Sequence, residues 1–198
     1  MGLPKLKLKI SVEDYLEGEK VSQVKHEYID GEVYAMAGTS KSHNRIIRNI
    51  LNKLGNHLRE SDCEPFFVDI KVRSKKFNRF YYPDLIVVCG EDAESEYYTA
   101  KPKLIVEVLS PGTALTDRRE KMFVYKELET VEEYVLIEQN RMYAEIYRRR
   151  ETGDLWDWIE FETGEEIEFS SLDFKMPMTE IYAGVELPEL QIWERENL

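Results

Sequence analysis

Two acidic residues sit inside short apolar runs, where an unpaired carboxylate is costly. The first run is Tyr81-Tyr82-Pro83-Asp84-Leu85-Ile86-Val87-Val88; the second is Lys103-Leu104-Ile105-Val106-Glu107-Val108-Leu109-Ser110. Both are short, β-branched and bounded by polar or turn residues, so both read as buried strands. A divalent cation between Asp84 and Glu107 would balance the two charges. Magnesium, or manganese in its place, is the expected cofactor, being a hard ion held by one or two carboxylates. The carbonyl of Val108 is a further candidate ligand. Such a metal makes water nucleophilic near neutral pH, balances charge on a phosphate and stabilises a leaving oxygen. Phosphodiester hydrolysis is the favoured chemistry.

Lys121 falls on the next expected helix, with Asp117 one turn before it on the same face and Tyr125 one turn after. Its amine is suited to orient or help deprotonate the attacking water and to offset phosphate charge. The plainer alternative is an exposed Asp117–Lys121 pair, which contributes little. For Asp84 and Glu107 it is bonding to loop amides or to an arginine. Tyr125 is read chiefly as packing.

The elements that must position these residues are legible as patterns. Ser11 caps a short helix through Glu17, with Asp14 at its third helical position. Asp30-Gly31 between His26–Ile29 and Glu32–Met36 predicts a hairpin with a type I′ turn. Thr39 or Ser40 caps a helix to about Glu60, whose stripe Ile46, Ile47, Ile50, Leu51, Leu54 and Leu58 follows the 3.6-residue period. Pro65–Val72 reads as one strand, followed by a basic turn at Lys75–Asn78. An acidic loop spans Glu91–Lys101, and Thr113 or Thr116 opens a helix through Leu128. Glu133–Glu138 and Arg141–Arg149 form an antiparallel pair. Trp156–Phe161 and Glu165–Phe169 are read as a second pair turned at Thr163-Gly164. The order is an α/β core with an added antiparallel β extension at the C-terminus. One domain over 1–198 is expected, with a core of about 11–150 and an acidic, β-rich extension at 151–198.

Charge constrains the partners. The net charge of −12 is supplied wholly by residues 151–198, with 2 Lys+Arg and 14 Asp+Glu; residues 1–150 carry 25 of each. Local sign therefore matters more than the total for nucleic-acid binding. Two basic clusters are candidate clamps on a DNA backbone: Lys71, Arg73, Lys75, Lys76 and Arg79 around the turn, and Lys41, Arg45 and Arg48 at helical spacing. Such contacts carry no sequence information. The alternative is solvated surface. Cys63 and Cys89 have no metal-site spacing and read as reduced thiols, as in the cytoplasm. Met1–Ile10 alternates lysine with apolar residues, so neither a secretory signal nor a membrane span is expected.

These residues carry a family resemblance. The chain resembles a large bacterial family of restriction-endonuclease-like proteins within the PD-(D/E)xK nuclease superfamily. The matching segments are His26-Glu27-Tyr28-Ile29-Asp30-Gly31-Glu32, Ser42-His43, Tyr82-Pro83-Asp84, Val106-Glu107-Val108-Leu109-Ser110-Pro111, Asp117-Arg118-Arg119-Glu120-Lys121 with Tyr125, and Glu133-Tyr134. The likeness runs from about Ser11 to about Tyr182. It implies a restriction-endonuclease-like αβββαβ core with one metal cleft, in which Asp84 and Glu107 are the metal carboxylates. Where the superfamily has a lysine two residues after Glu107, this chain has Leu109, a departure the family shares; Lys121 is the implied substitute. Glu27 matches an acidic position that completes the metal site or holds the cleft together. His43 matches a family histidine, expected beside the metal site or a phosphate.

The reading is a cytoplasmic, metal-dependent DNA endonuclease. Asp84, Glu107, Lys121 and Glu27 are its catalytic candidates, with His43, Asp117 and Tyr125 around them. A homodimer is expected, because the β extension leaves strand edges to cover and duplex cutting suits two-fold symmetry. Two alternatives stand: an inactive nuclease-fold module binding nucleic acid or a basic partner, and a metal-dependent hydrolase of nucleotides or RNA.

Overall fold

The computed structural model describes residues 9–92, 94–153 and 155–188. The lysine-alternating start and the mixed C-terminal end noted in the sequence lie largely outside these. Ser11 caps α1 (Val12–Val21) by accepting from the Asp14 amide at 3.0 Å. α1 buries Tyr15 against Tyr28 and Phe80, with ring centroids 5.0 and 5.5 Å away. β1 (His26–Ile29) and β2 (Glu32–Ala35) form the hairpin. Asp30 and Gly31 have φ of 46° and 92°, the two positive values a type I′ turn needs.

α2 (Lys41–His57) is capped by Ser40, whose Oγ accepts from the His43 amide. That hydroxyl also donates to Gln139 at 2.7 Å, tying the helix start to the sheet. A short 3₁₀ turn (Leu58–Glu60) ends the helix, and the apolar stripe is buried as its period requires.

The expected strand over Pro65–Val72 is two strands in different sheets. β3 (Cys63–Phe67) stops at Val68, whose φ of 70° turns the chain, and β4 (Lys71–Ser74) begins the other sheet. The Tyr81–Val88 run is likewise split into β5 (Arg79–Tyr81) and β6 (Leu85–Cys89). The acidic loop contributes a two-residue strand, β7 (Tyr98–Thr99). β8 (Pro102–Leu109) is followed by a helical stretch and then by β9 (Glu133–Glu138), β10 (Tyr143–Arg149) and β11 (Trp156–Glu162). That stretch comprises α3 (Ala114–Thr116), a π-helical turn (Asp117–Lys121) and α4 (Met122–Lys126).

One sheet runs β2-β1-β5-β4-β7 and the larger one β11-β10-β9-β8-β6-β3. β8 and β9 are parallel, and the helical stretch is the crossover between them. Alternate residues of β8 divide between two cores. Leu104, Val106 and Val108 join α2, while Ile105 and Leu109 join Val124 and Tyr125.

The second expected pair also differs. β11 pairs with β10, whereas β12 (Glu166–Phe169) pairs with β13 (Phe174–Pro177), which leads into α5 (Met178–Ile181). Ile167, Phe169 and Met176 are buried in the α2 core, which draws this hairpin out of the sheet's plane. Glu133, wholly buried, anchors it: Arg148 Nε, the Ser170 and Ser171 amides and the Ser171 hydroxyl all donate to its carboxylate.

Cys63 and Cys89 are register partners on β3 and β6 and are joined by a disulfide, so the expectation of reduced thiols is overturned. The pairing follows from strand register 26 residues apart, which spacing does not reveal. Replacing both by serine should cost about 3 kcal/mol for a closed loop of that length. A lower urea midpoint, with a slope no smaller than that of wild type, would show it; an unchanged midpoint would mean the bond adds nothing. No helix among the described residues is long and apolar enough to cross a membrane.

Candidate active site

The two carboxylates become neighbours through strand register. β6 and β8 pair Leu85 with Val106, so one step further sets Asp84 beside Glu107. Alternation turns Glu107 toward the helical crossover, in the row otherwise filled by Ile105 and Leu109, while Asp84, one residue before β6, reaches His43 on α2. Asp84 Oδ2 accepts from the Val108 amide at 2.7 Å and lies 3.1 Å from His43 Nε2, in the first turn of α2. The Val108 carbonyl leaves its strand on the same edge as that amide, toward Asp84.

Lys121 is buried and points into the same cleft. Its ammonium lies 3.1 Å from Glu27, 3.1 Å from Glu107 and 3.2 Å from Asp117. The exposed-pair alternative for Asp117 and Lys121 is thereby excluded, since both are buried. Glu27 is delivered by β1, and the Tyr82 amide donates to it at 3.3 Å. Tyr125, also buried, donates to Glu107 at 3.3 Å, so it touches the site as well as packing.

The π-helical turn explains how one segment serves both purposes. Its wider winding lets Asp117 and Lys121 face the cleft while Val124 and Tyr125 fill the core. It is held from outside by Arg118, which pairs with Glu138 and Glu145. From inside it is held by the Tyr134 hydroxyl, which donates to the Asp117 carbonyl at 3.0 Å. Neither Arg118 nor Tyr134 stood out as a site residue in the sequence. The only signal was their presence in the Asp117–Lys121 and Glu133-Tyr134 segments.

Burial and close charges shift both groups. Burial opposes charge on Lys121, but Glu107, Glu27 and Asp117 outweigh it and hold its pKa well above the ordinary 10.5. The Lys121 ammonium, held by three carboxyl groups, is the positive charge of the cleft. Glu107 is driven well above the usual 4.5, first by burial and then by Asp117, Asp84 and Glu27, against the pull of Lys121. Such a carboxyl binds its proton more tightly when folded. Its stabilising contribution is complete below about pH 4.5 and is lost as pH climbs through the folded value. Wild type should therefore lose thermal stability relative to Glu107→Gln as pH rises above about 4.5 in metal-free buffer. A constant gap in melting temperature would refute the raised carboxyl.

Four carboxyl groups thus crowd a cleft with one ammonium, which leaves it short of positive charge. Asp84 and Glu107 each keep one oxygen without a hydrogen-bond partner among the described residues. No group of three or more His, Cys, Asp or Glu side chains there is arranged to enclose a metal ion. Two carboxylates and a carbonyl are the sparse, all-oxygen donor set that suits magnesium, which retains several waters. The residues fit the ion.

The basic clusters are disposed differently. Arg73 and Lys75 pair with Glu94, Lys76 with Glu127 and Arg79 with Glu120. Lys71 is 5% exposed, which takes it out of reach of a backbone lying across the surface. Lys41, Arg45 and Arg48 form a stripe on α2 with no ion pair among the described residues.

A family model, Uma2, with the description "Putative restriction endonuclease", matches residues 12–179. Two Synechocystis sp. proteins, both named as uncharacterized, are similar throughout. One, slr1290, is 33% identical over 178 residues, 89% of this chain and 93% of its own. The other, sll1609, is 32% identical over 167 residues, 81% and 93% respectively. Among solved structures, a "putative nuclease belonging to DUF820" from Anabaena variabilis matches with a TM-score of 0.69 at 14% identity. It covers 89% of this chain and 99% of that one. The chain therefore has a nuclease-like α/β fold.

Proposed function

Because the chain belongs to the Uma2 family, we propose that it is a magnesium- or manganese-dependent endonuclease that hydrolyses phosphodiester bonds in DNA. The carrying observation is the charge-deficient cleft, in which Glu107, Glu27 and Asp117 share the one Lys121 ammonium and Asp84 stands beside Glu107. In this reading Asp84, Glu107 and the Val108 carbonyl hold the metal, which when bound supplies an activated water and charge stabilisation at the phosphate. Glu27 and Asp117 hold the Lys121 ammonium in place. That ammonium orients the water and offsets the charge gathering on the phosphate oxygens. His43 fixes the Asp84 carboxylate, and Tyr125 fixes Glu107. The Lys41/Arg45/Arg48 stripe leads away from His43 and supplies contacts to the DNA backbone. Cutting of both strands, as a two-fold dimer in the cytoplasm, completes the reading.

Calorimetry and a cleavage assay test it together. Wild type should bind one magnesium or manganese ion per cleft and nick supercoiled plasmid only when metal is present. RNA and mononucleotides run alongside define the substrate. Metal binding without cleavage of any of them would favour the inactive binding module.

A further inference from the structure

The face of the five-stranded sheet turned away from the carboxylates carries a second cavity. Successive strand residues face opposite sides. Glu27 and Tyr81 turn toward Lys121, so His26 and Tyr82 turn toward α1. Lys71, at the start of β4, joins them there. The cavity between Lys71, Tyr82, α1 and the Ser95–Tyr98 segment measures about 520 Å³, within the range of small-molecule sites.

Lys71 is the unusual group in it. Its side chain is almost wholly buried, yet no carboxylate among the described residues lies within ion-pairing distance of its ammonium. Its contacts are the Tyr82 hydroxyl at 3.4 Å and the Tyr82 ring, 5.1 Å to the centroid. The acid nearest in effect, Glu19, is engaged by the His26 ring at 2.8 Å, the His26 amide at 3.1 Å and the Tyr82 hydroxyl at 2.8 Å. Burial pushes the Lys71 pKa down, as expected for an ammonium lacking a counter-ion. Lys25, 5.7 Å from the Tyr82 ring centroid, is already paired with Asp69 and donates to the Val68 carbonyl at 3.1 Å, and Tyr97 stands at the rim with 54% of its surface exposed. Rim acids Glu17, Asp69 and Glu96 disfavour a highly charged guest.

We propose that this cavity binds a nucleoside monophosphate, its phosphate against Lys71 and its base along the Tyr82 and Tyr97 rings. A buried cation without a partner calls for an anionic oxygen group. The volume and the exposed aromatic call for a planar body attached to it. Free mononucleotide and the 5′-phosphorylated end of a strand share this chemistry. The site is separate from the carboxylate cleft and independent of the nuclease reading.

Calorimetric titrations with AMP, inorganic phosphate, adenosine, and a short oligonucleotide with or without a 5′-phosphate test it. AMP should bind at one site, more tightly than phosphate or adenosine alone. Lys71→Met removes a buried charge and should stay folded; it should weaken AMP binding at least about tenfold, the loss of one charged hydrogen bond. Tyr97→Ala should weaken AMP but not phosphate. Asp84→Ala should leave AMP binding unchanged, which separates this site from the proposed catalytic one. Preference for the phosphorylated oligonucleotide identifies a strand end as the source, and preference for AMP a free nucleotide. Adenosine binding as tightly as AMP, no AMP binding at millimolar concentration, or an unaltered Lys71→Met would overturn the proposal.

Discussion

Asp84→Ala should abolish metal-dependent cleavage of DNA while the protein stays folded. The residue is at the mouth of β6, its side chain 20% exposed, and it contributes no packing to either core. Removing it strands the Val108 amide and frees His43, a cost of about 1–3 kcal/mol. That is small against the 5–15 kcal/mol that folded domains typically hold. The metal, by contrast, loses one of its two carboxylates. Its charge stabilisation is worth several kcal/mol in such reactions, so a rate loss of roughly a thousandfold or more is expected. Asp84→Asn keeps an acceptor for Val108 and should melt near wild type with the same loss of activity. Plasmid nicking and thermal melts measure both effects, and cleavage at wild-type rate by either variant removes Asp84 from the site.

Lys121→Met should be damaging on two counts. It leaves Glu27, Glu107 and Asp117 facing one another in a buried cleft without their shared cation. Breaking a buried ion pair from one side typically costs about 3–5 kcal/mol. Both low pH and added magnesium should return part of that stability, the first by protonating the acids and the second by replacing the charge. Activity should fall about 10²–10³-fold even where the protein is folded. Urea melts at pH 5 and pH 8, with and without magnesium, separate the two losses. A variant as stable as wild type in metal-free buffer at pH 8 would contradict the charge accounting of the cleft.

Much of this was written in local patterns. The Ser11 and Ser40 caps, the Asp30-Gly31 turn and the α2 stripe depend on neighbours a few residues apart, and each is found in place. Asp84 and Glu107 were conspicuous because a charge in an apolar strand is anomalous. The failures share one origin, in that each depends on where a strand goes rather than on what it contains. Pro65–Val72 has unbroken β character, but the positive φ at Val68 sends its two halves to different sheets. Thr163-Gly164 does turn the chain, yet β12 leaves with the α2 core instead of pairing back on β11. Cys63 and Cys89 meet through register, and Lys71 is buried because α1 folds over it. None of these follows from the residues flanking them.

Leu109 closes the strand position where an amine could otherwise stand, since it is 3% exposed and packed with Val124 and Tyr125. The Lys121 ammonium is therefore cantilevered from a neighbouring element, its place inherited from how that element docks. Whatever loosens the docking, even at the distant Arg118 anchor, misaligns the chemistry without touching it.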